Sequence, residues 1–157
     1  MKYLTIALIL TSCARGKIFS TEDHCCDFVC LTMSEGIKMA DSLDRCLFII
    51  VLNEKDSGLH HQSIPELLNF SSQEDKSILK TLNREYLVVK LHQHDFIKFQ
   101  KSLANYEYME DYKEVAGNNK STSYVFISAP TVLSIYSPIQ LNQKEKIRDL
   151  IHVKMGP

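Results

Sequence analysis

Glycine and proline are scarce in this chain, five and four residues in 157. Such a composition argues against a loop-rich miniature fold stapled by disulfides. Neither sign of charge is in excess: the formal net charge is −1, and removal of Lys2 with the first twelve residues takes it to −2. Basic and acidic side chains are interspersed throughout, so nothing points to nucleic acid or an acidic polymer as partner. Low-complexity tracts and internal repeats are missing. Past the first ten residues no stretch is apolar enough to cross a bilayer, whose core of about 30 Å calls for roughly 20 helical residues. About 145 residues then remain for one domain with a real core.

What is present begins at the N-terminus. Lys2 is a short positive region, and Tyr3 to Leu10 is an apolar run of eight residues, the pattern of an export signal and too short for a span. Leu10-Thr11-Ser12-Cys13 resembles the bacterial lipobox, whose cysteine is acylated and becomes the new N-terminus. The resemblance implies lipidation at Cys13, an oxidising compartment and a membrane anchor, each buried methylene contributing about 0.8 kcal/mol. Ala14 in place of an aspartate implies an outer-membrane lipoprotein facing the periplasm. The alternative is an ordinary cleavable signal, with Ser12 and Ala14 as the small residues before Arg15. The protein would then be secreted or lumenal in the endoplasmic reticulum, where the acceptor patterns Asn69-Phe70-Ser71 and Asn119-Lys120-Ser121 bear on glycosylation.

With Cys13 acylated, Cys25, Cys26, Cys30 and Cys46 remain, an even number that predicts two disulfides with three possible connectivities. Adjacent Cys25 and Cys26 are poor partners for each other because the ring between neighbours is strained. The alternatives are reactive thiols, or a zinc or copper site of thiolates with His24.

The chain divides into a signal (1–12), a tether and Cys-rich segment (13–32), and a domain (33–157) with an insertion at 95–119. Met33, Ile37, Ala40 and Leu43 have helical spacing, predicting a helix over 33–44. Residues 46–52, CLFIIVL, read as a strand buried on both faces, ending in the turn-prone NEKDSG. A helical stretch around Ile64 to Leu68 carries Pro65 in its first turn. Ser71 and Glu74 have the capping-box spacing for a further helix, with Ile78, Leu79 and Leu82 on its buried face. Tyr86 to Leu91 is the next strand, so strand, helices and strand suggest a βαβ unit with parallel neighbours. The insertion carries Phe96, Phe99 and Leu103 at helical spacing, then Tyr106, Tyr108 and Tyr112 among acids. Residues 122–128 and 131–136 predict an antiparallel hairpin turning at Ala129-Pro130. A helix over 140–153 closes the chain, with Leu141, Ile147, Leu150 and Ile151 as its stripe.

This order resembles the thioredoxin-like superfamily, in its exported members whose helix runs straight into the first core strand. SEGIKMADSLDRCLFIIVL, FSSQEDKSILKTLNREYLVVKL and STSYVFIS with TVLSIYS carry the resemblance. It implies an α/β fold: a three-layer sandwich around a mixed sheet of about four strands. It also implies a Cys-x-x-Cys after the first core strand, where a helix N-terminus activates the first thiol. Here that place reads Asn53 to His61 without a cysteine, Ser57 and His60 standing at the spacing of the pair. The proline expected before the third core strand is replaced by Ser121-Thr122-Ser123. The expectation is therefore no enzyme, no catalytic residue and no cofactor, but a domain that binds a protein or peptide in the cell envelope.

Two alternatives keep chemistry. One is a thiol-disulfide oxidoreductase using Cys26 and Cys30, or Cys46. The other is an envelope metal-binding protein. His92 and His94 are two apart at a strand end and so face one way. His60 and His61 follow the parallel neighbour, at the sheet edge where α/β proteins bind ligands. Four imidazoles are thus expected to converge, in a metal site that would weaken below about pH 6.

Overall fold

The computed structural model describes residues 29–30, 32–102, 122–129 and 137–152. Cys13, Cys25, Cys26, the residues around Tyr106, Tyr108 and Tyr112, and the expected strand 131–136 lie outside the described residues.

The first long element is helix α1 (Met33–Leu43). Thr32 caps it, its hydroxyl accepting from the Glu35 N–H at 3.2 Å. Asp44, in the left-handed region at φ 51°, ends it and returns its N–H to the carbonyls of Ala40 and Asp41. The helix lies tightly on the sheet because Gly36 faces it; a Cβ there would come within 2.5 Å of the Val89 side chain.

Strand β2 (Cys46–Leu52) follows with the predicted bounds. Its side chains alternate between two cores, as a pleated strand covered on both faces requires. Phe48, Ile50 and Leu52 point into one cluster, and Leu47, Ile49 and Val51 into the other. A 3-10 helix (Glu54–His61) leads to the short helix α2 (Ile64–Leu67), with Pro65 in its first turn as expected. Helix α3 (Gln73–Glu85) then packs Ile78, Leu79 and Leu82 on the Phe48 face.

The capping box of α3 is Ser72 with Asp75, one residue later than the expected Ser71 and Glu74. The cause is tertiary. The fully buried Asp75 carboxylate accepts from the Ser71 and Ser72 N–H groups at 2.8 and 2.7 Å, from Lys144 Nζ at 3.0 Å and from the Arg148 guanidinium. These donors hold its pKa far below the usual carboxylate range, against the burial that alone would raise it. Glu74 is exposed, and among the described residues no such cations are paired with it.

Strand β3 (Tyr86–His92) runs parallel to β2, pairing Phe48 with Val88 and Leu52 with His92. Helix α4 (Gln93–Ser102) starts at the next residue, earlier than expected, so His94 is helical and not the end of a strand. Strand β4 (Tyr124–Ser128) pairs antiparallel with β2, and β5 (Ile139–Gln140) antiparallel with β4. Those last pairs replace the first turn of the helix expected from 140, and α5 spans Lys144–His152. Val29–Cys30, expected within a tether, form an edge strand β1 parallel to β3.

The sheet order is β1-β3-β2-β4-β5. The fold is mixed α/β, with a mixed sheet and helices on both faces. Met33 and Ala40 of α1 and Phe96 of α4 fill one face, and α2, α3 and α5 fill the other. Tyr86 ties the closing helix to the sheet through its hydroxyl, 3.1 Å from the Ile151 carbonyl. No helix among the described residues is long and apolar enough to cross a membrane.

Candidate functional site at the carboxyl ends of β2 and β3

Just past the ends of the parallel strands β2 and β3 stand Asn53 and Gln93, whose side chains hydrogen-bond. Asn53, buried just past β2, joins three elements. Its N–H donates to Ser123 Oγ at 2.9 Å, its amide donates to Gln93 Oε1 at 2.9 Å, and its Oδ1 accepts from the Lys55 N–H at 3.0 Å. Ser123, just before β4, donates in turn to Asp56 Oδ2 at 2.5 Å. The start of the 3-10 helix is thereby bonded to β4 and α4.

Its far end is held from β3. Lys90 donates to the carbonyls of His60 and Gln62, each at 3.1 Å, and burial lowers its pKa. His60 stacks on His92, ring centroids 3.3 Å apart and planes 21° from parallel. His94 follows at 5.3 Å from His92 and lies between Glu54 and Asp95, with nitrogen–oxygen distances of 3.3 and 3.1 Å. The Nε2 of His60 is buried, with no hydrogen-bond partner among the described residues. Burial, then His92, Lys90 and His61, push the His60 pKa down, outweighing nearby Asp56. The ring is kept neutral.

The expected gathering of four histidines is therefore met by three rings, His60, His92 and His94, while His61 is exposed. Their arrangement differs from a chelate. A metal takes the in-plane lone pairs of imidazoles, and face-to-face rings carry those lone pairs side by side. Among the described residues no group of three or more His, Cys, Asp or Glu is disposed to hold a metal ion. Ser57 lies within the 3-10 helix.

Beside the histidines runs an open groove of about 380 Å³. Leu59, Leu67 and Leu141 supply its apolar surface, and Asp56, Ser123 and Asn142 its polar groups. A groove at this carboxyl edge was expected as a contact surface, but its lining was not foreseen in the sequence, because its walls come from the distant segments 56–69 and 122–142. Lys90 left a trace: a single cation inside the apolar run YLVVKLH.

Cys46 sits at the opposite, amino end of β2. Among the described residues it is a free thiol, and its side chain packs against the Phe48 cluster. Burial, with Asp44 adding to it, raises its pKa, so it is held as the unreactive thiol. The backbone of Cys30 pairs with Val89 in the edge strand. Comparison with known protein families, with curated proteins and with solved structures finds no match to this chain.

Proposed function

We propose that this chain is an exported, non-catalytic thioredoxin-like domain, a three-layer sandwich anchored by lipid at Cys13. It binds a protein or extended peptide in the cell envelope. The observation that carries this reading is the groove beyond the carboxyl ends of the strands, where ligands of α/β sheets bind. Three leucines offer apolar area, and the side chains of Asp56, Ser123 and Asn142 offer hydrogen-bond partners. Parallel strands followed by antiparallel strands and a closing helix support the fold part of the reading. The absence of cysteine from 53–61 and the protonated state of Cys46 support a binding role over thiol chemistry.

The test is selection of displayed random peptides on the full chain, followed by affinity measurements. Selected peptides should lose at least about tenfold, or 1.4 kcal/mol, on Asn142→Arg in the groove wall. They should be unaffected by Lys38→Glu on the far helix. Peptides indifferent to Asn142→Arg would refute the groove as the binding site. Catalytic reduction of insulin disulfides by the chain would refute the non-catalytic reading.

A further inference from the structure

The 3-10 helix (Glu54–His61) is held to β3 by two things: the Lys90 ammonium on its last carbonyls, and the stack of His60 on His92. Only the second changes with pH near neutrality. We propose that the His60–His92 stack is a pH-sensitive latch, closed while His60 is neutral and released when it takes up a proton. Released, the 3-10 helix lifts from β3. Because Asp56 and Leu59 on that helix form one wall of the groove, release opens the groove.

The charges around the stack favour this direction. From its own helix His60 faces His61 and Asp56; from β3 it faces Lys90 and His92. Behind His92 stands His94 of α4, already between the carboxylates of Glu54 and Asp95. Among the described residues Asp56 is the carboxylate acting on His60, and it is engaged by the Ser123 hydroxyl. On acidification a His60 imidazolium, stacked 3.3 Å from His92, crowds against the Lys90 ammonium, while Glu54 and Asp95 stand against His94. A protonated Nε2 of His60 would also become a buried donor with no acceptor, which costs more than a merely weakened contact.

The sign follows from proton linkage. The closed state holds His60 below its ordinary value, whereas the lifted helix exposes an ordinary imidazole of pKa about 6.5. The open state therefore binds more protons as pH falls below about 6.5, and acid favours opening.

Hydrogen exchange of the full chain, corrected for intrinsic rates, tests the latch. Protection over 53–62 should fall at least about tenfold between pH 7.5 and 5.5, the span over which an exposed imidazole of pKa about 6.5 takes up its proton. Protection over β2 should stay level. His60→Phe keeps a ring to stack and cannot be charged, so the fall should shrink to under about threefold. Constant protection in the wild type, or an equal fall in His60→Phe, overturns the latch. Should His60→Phe fail to fold, imidazole NMR of the wild type decides: His60 must titrate below the ordinary imidazole value of about 6.5, and a midpoint at or above it overturns the proposal. Opening of the groove to a partner rests on the peptide-binding reading; the release of the helix does not. If the helix releases and no peptide binds at any pH, the latch stands and the binding reading falls.

Discussion

Replacing Asp75 should show how much of the fold depends on one carboxylate. In the native protein it is fully buried and accepts from two backbone N–H groups at the start of α3, from Lys144 and from Arg148. Asp75→Ala leaves both N–H groups without their acceptor, takes the carboxylate from Lys144, and leaves Arg148 with the exposed Glu145 alone. Removing one partner of a buried ion pair costs about 3–5 kcal/mol, and losing a helix cap about 1 kcal/mol. Lys144 and Arg148 keep 25% and 17% of their side-chain area exposed, so solvent screens part of the first term. A loss of about 3 kcal/mol is therefore expected, a large fraction of the roughly 5–15 kcal/mol that holds a domain folded. In urea, with a slope of about 2 kcal/mol per molar, the midpoint should drop by about 1.5 M. Far-UV circular dichroism of the full chain reads it. Adding Arg148→Met to Asp75→Ala should return part of the loss, because a cation that has lost its buried partner disappears. The pH dependence has a definite sign. The folded pKa of Asp75 lies below its unfolded value near 3.9, so the carboxylate contributes its stability above that value and loses it as pH falls below about 5. Asp75→Asn should flatten the acid limb of the stability curve. A midpoint change under about 0.4 M for Asp75→Ala, or an acid limb unchanged in Asp75→Asn, would refute the reasoning.

Two further outcomes follow from packing and from the strand-end network. Gly36→Ala should destabilise by about 1–2 kcal/mol despite alanine's better helix propensity, because its methyl meets Val89 at 2.5 Å; Val89→Ala in the same chain should relieve most of the clash, read by thermal melts. Ser123→Ala should cost about 1–3 kcal/mol, since the buried Asn53 N–H loses its acceptor and Asp56 its donor; a loss under about 0.5 kcal/mol by urea titration would count against that network.

How much of this could be read in advance varies by element, for identifiable reasons. Strand β2 was legible to the residue because seven apolar side chains stand between polar neighbours, and such a run has few other ways to be buried. The parallel pairing with β3 followed from the helices between them. The start of α3 was misjudged by one residue because Ser71-Ser72-Gln73-Glu74-Asp75 offers two boxes, and Lys144 and Arg148, some 70 residues on, select between them. The junction from β3 to α4 has no glycine or proline to mark it, which is why His94 was read as strand. Strand β1 has two residues and no period; only the backbone ladder of β3 reveals it. Of the four histidines expected at one sheet edge, three rings lie together there; spacing alone says nothing about ring planes, and stacking is what separates the observed arrangement from a chelate.

Among the described residues, β5 bounds one side of the sheet with two residues, Ile139 and Gln140. An edge strand that short presents few free backbone groups to seed pairing with a strand of another molecule. Closely crowded copies of this chain would therefore find little along β5 to copy, and would meet there through side-chain surfaces such as the groove instead of by extending one another's sheets.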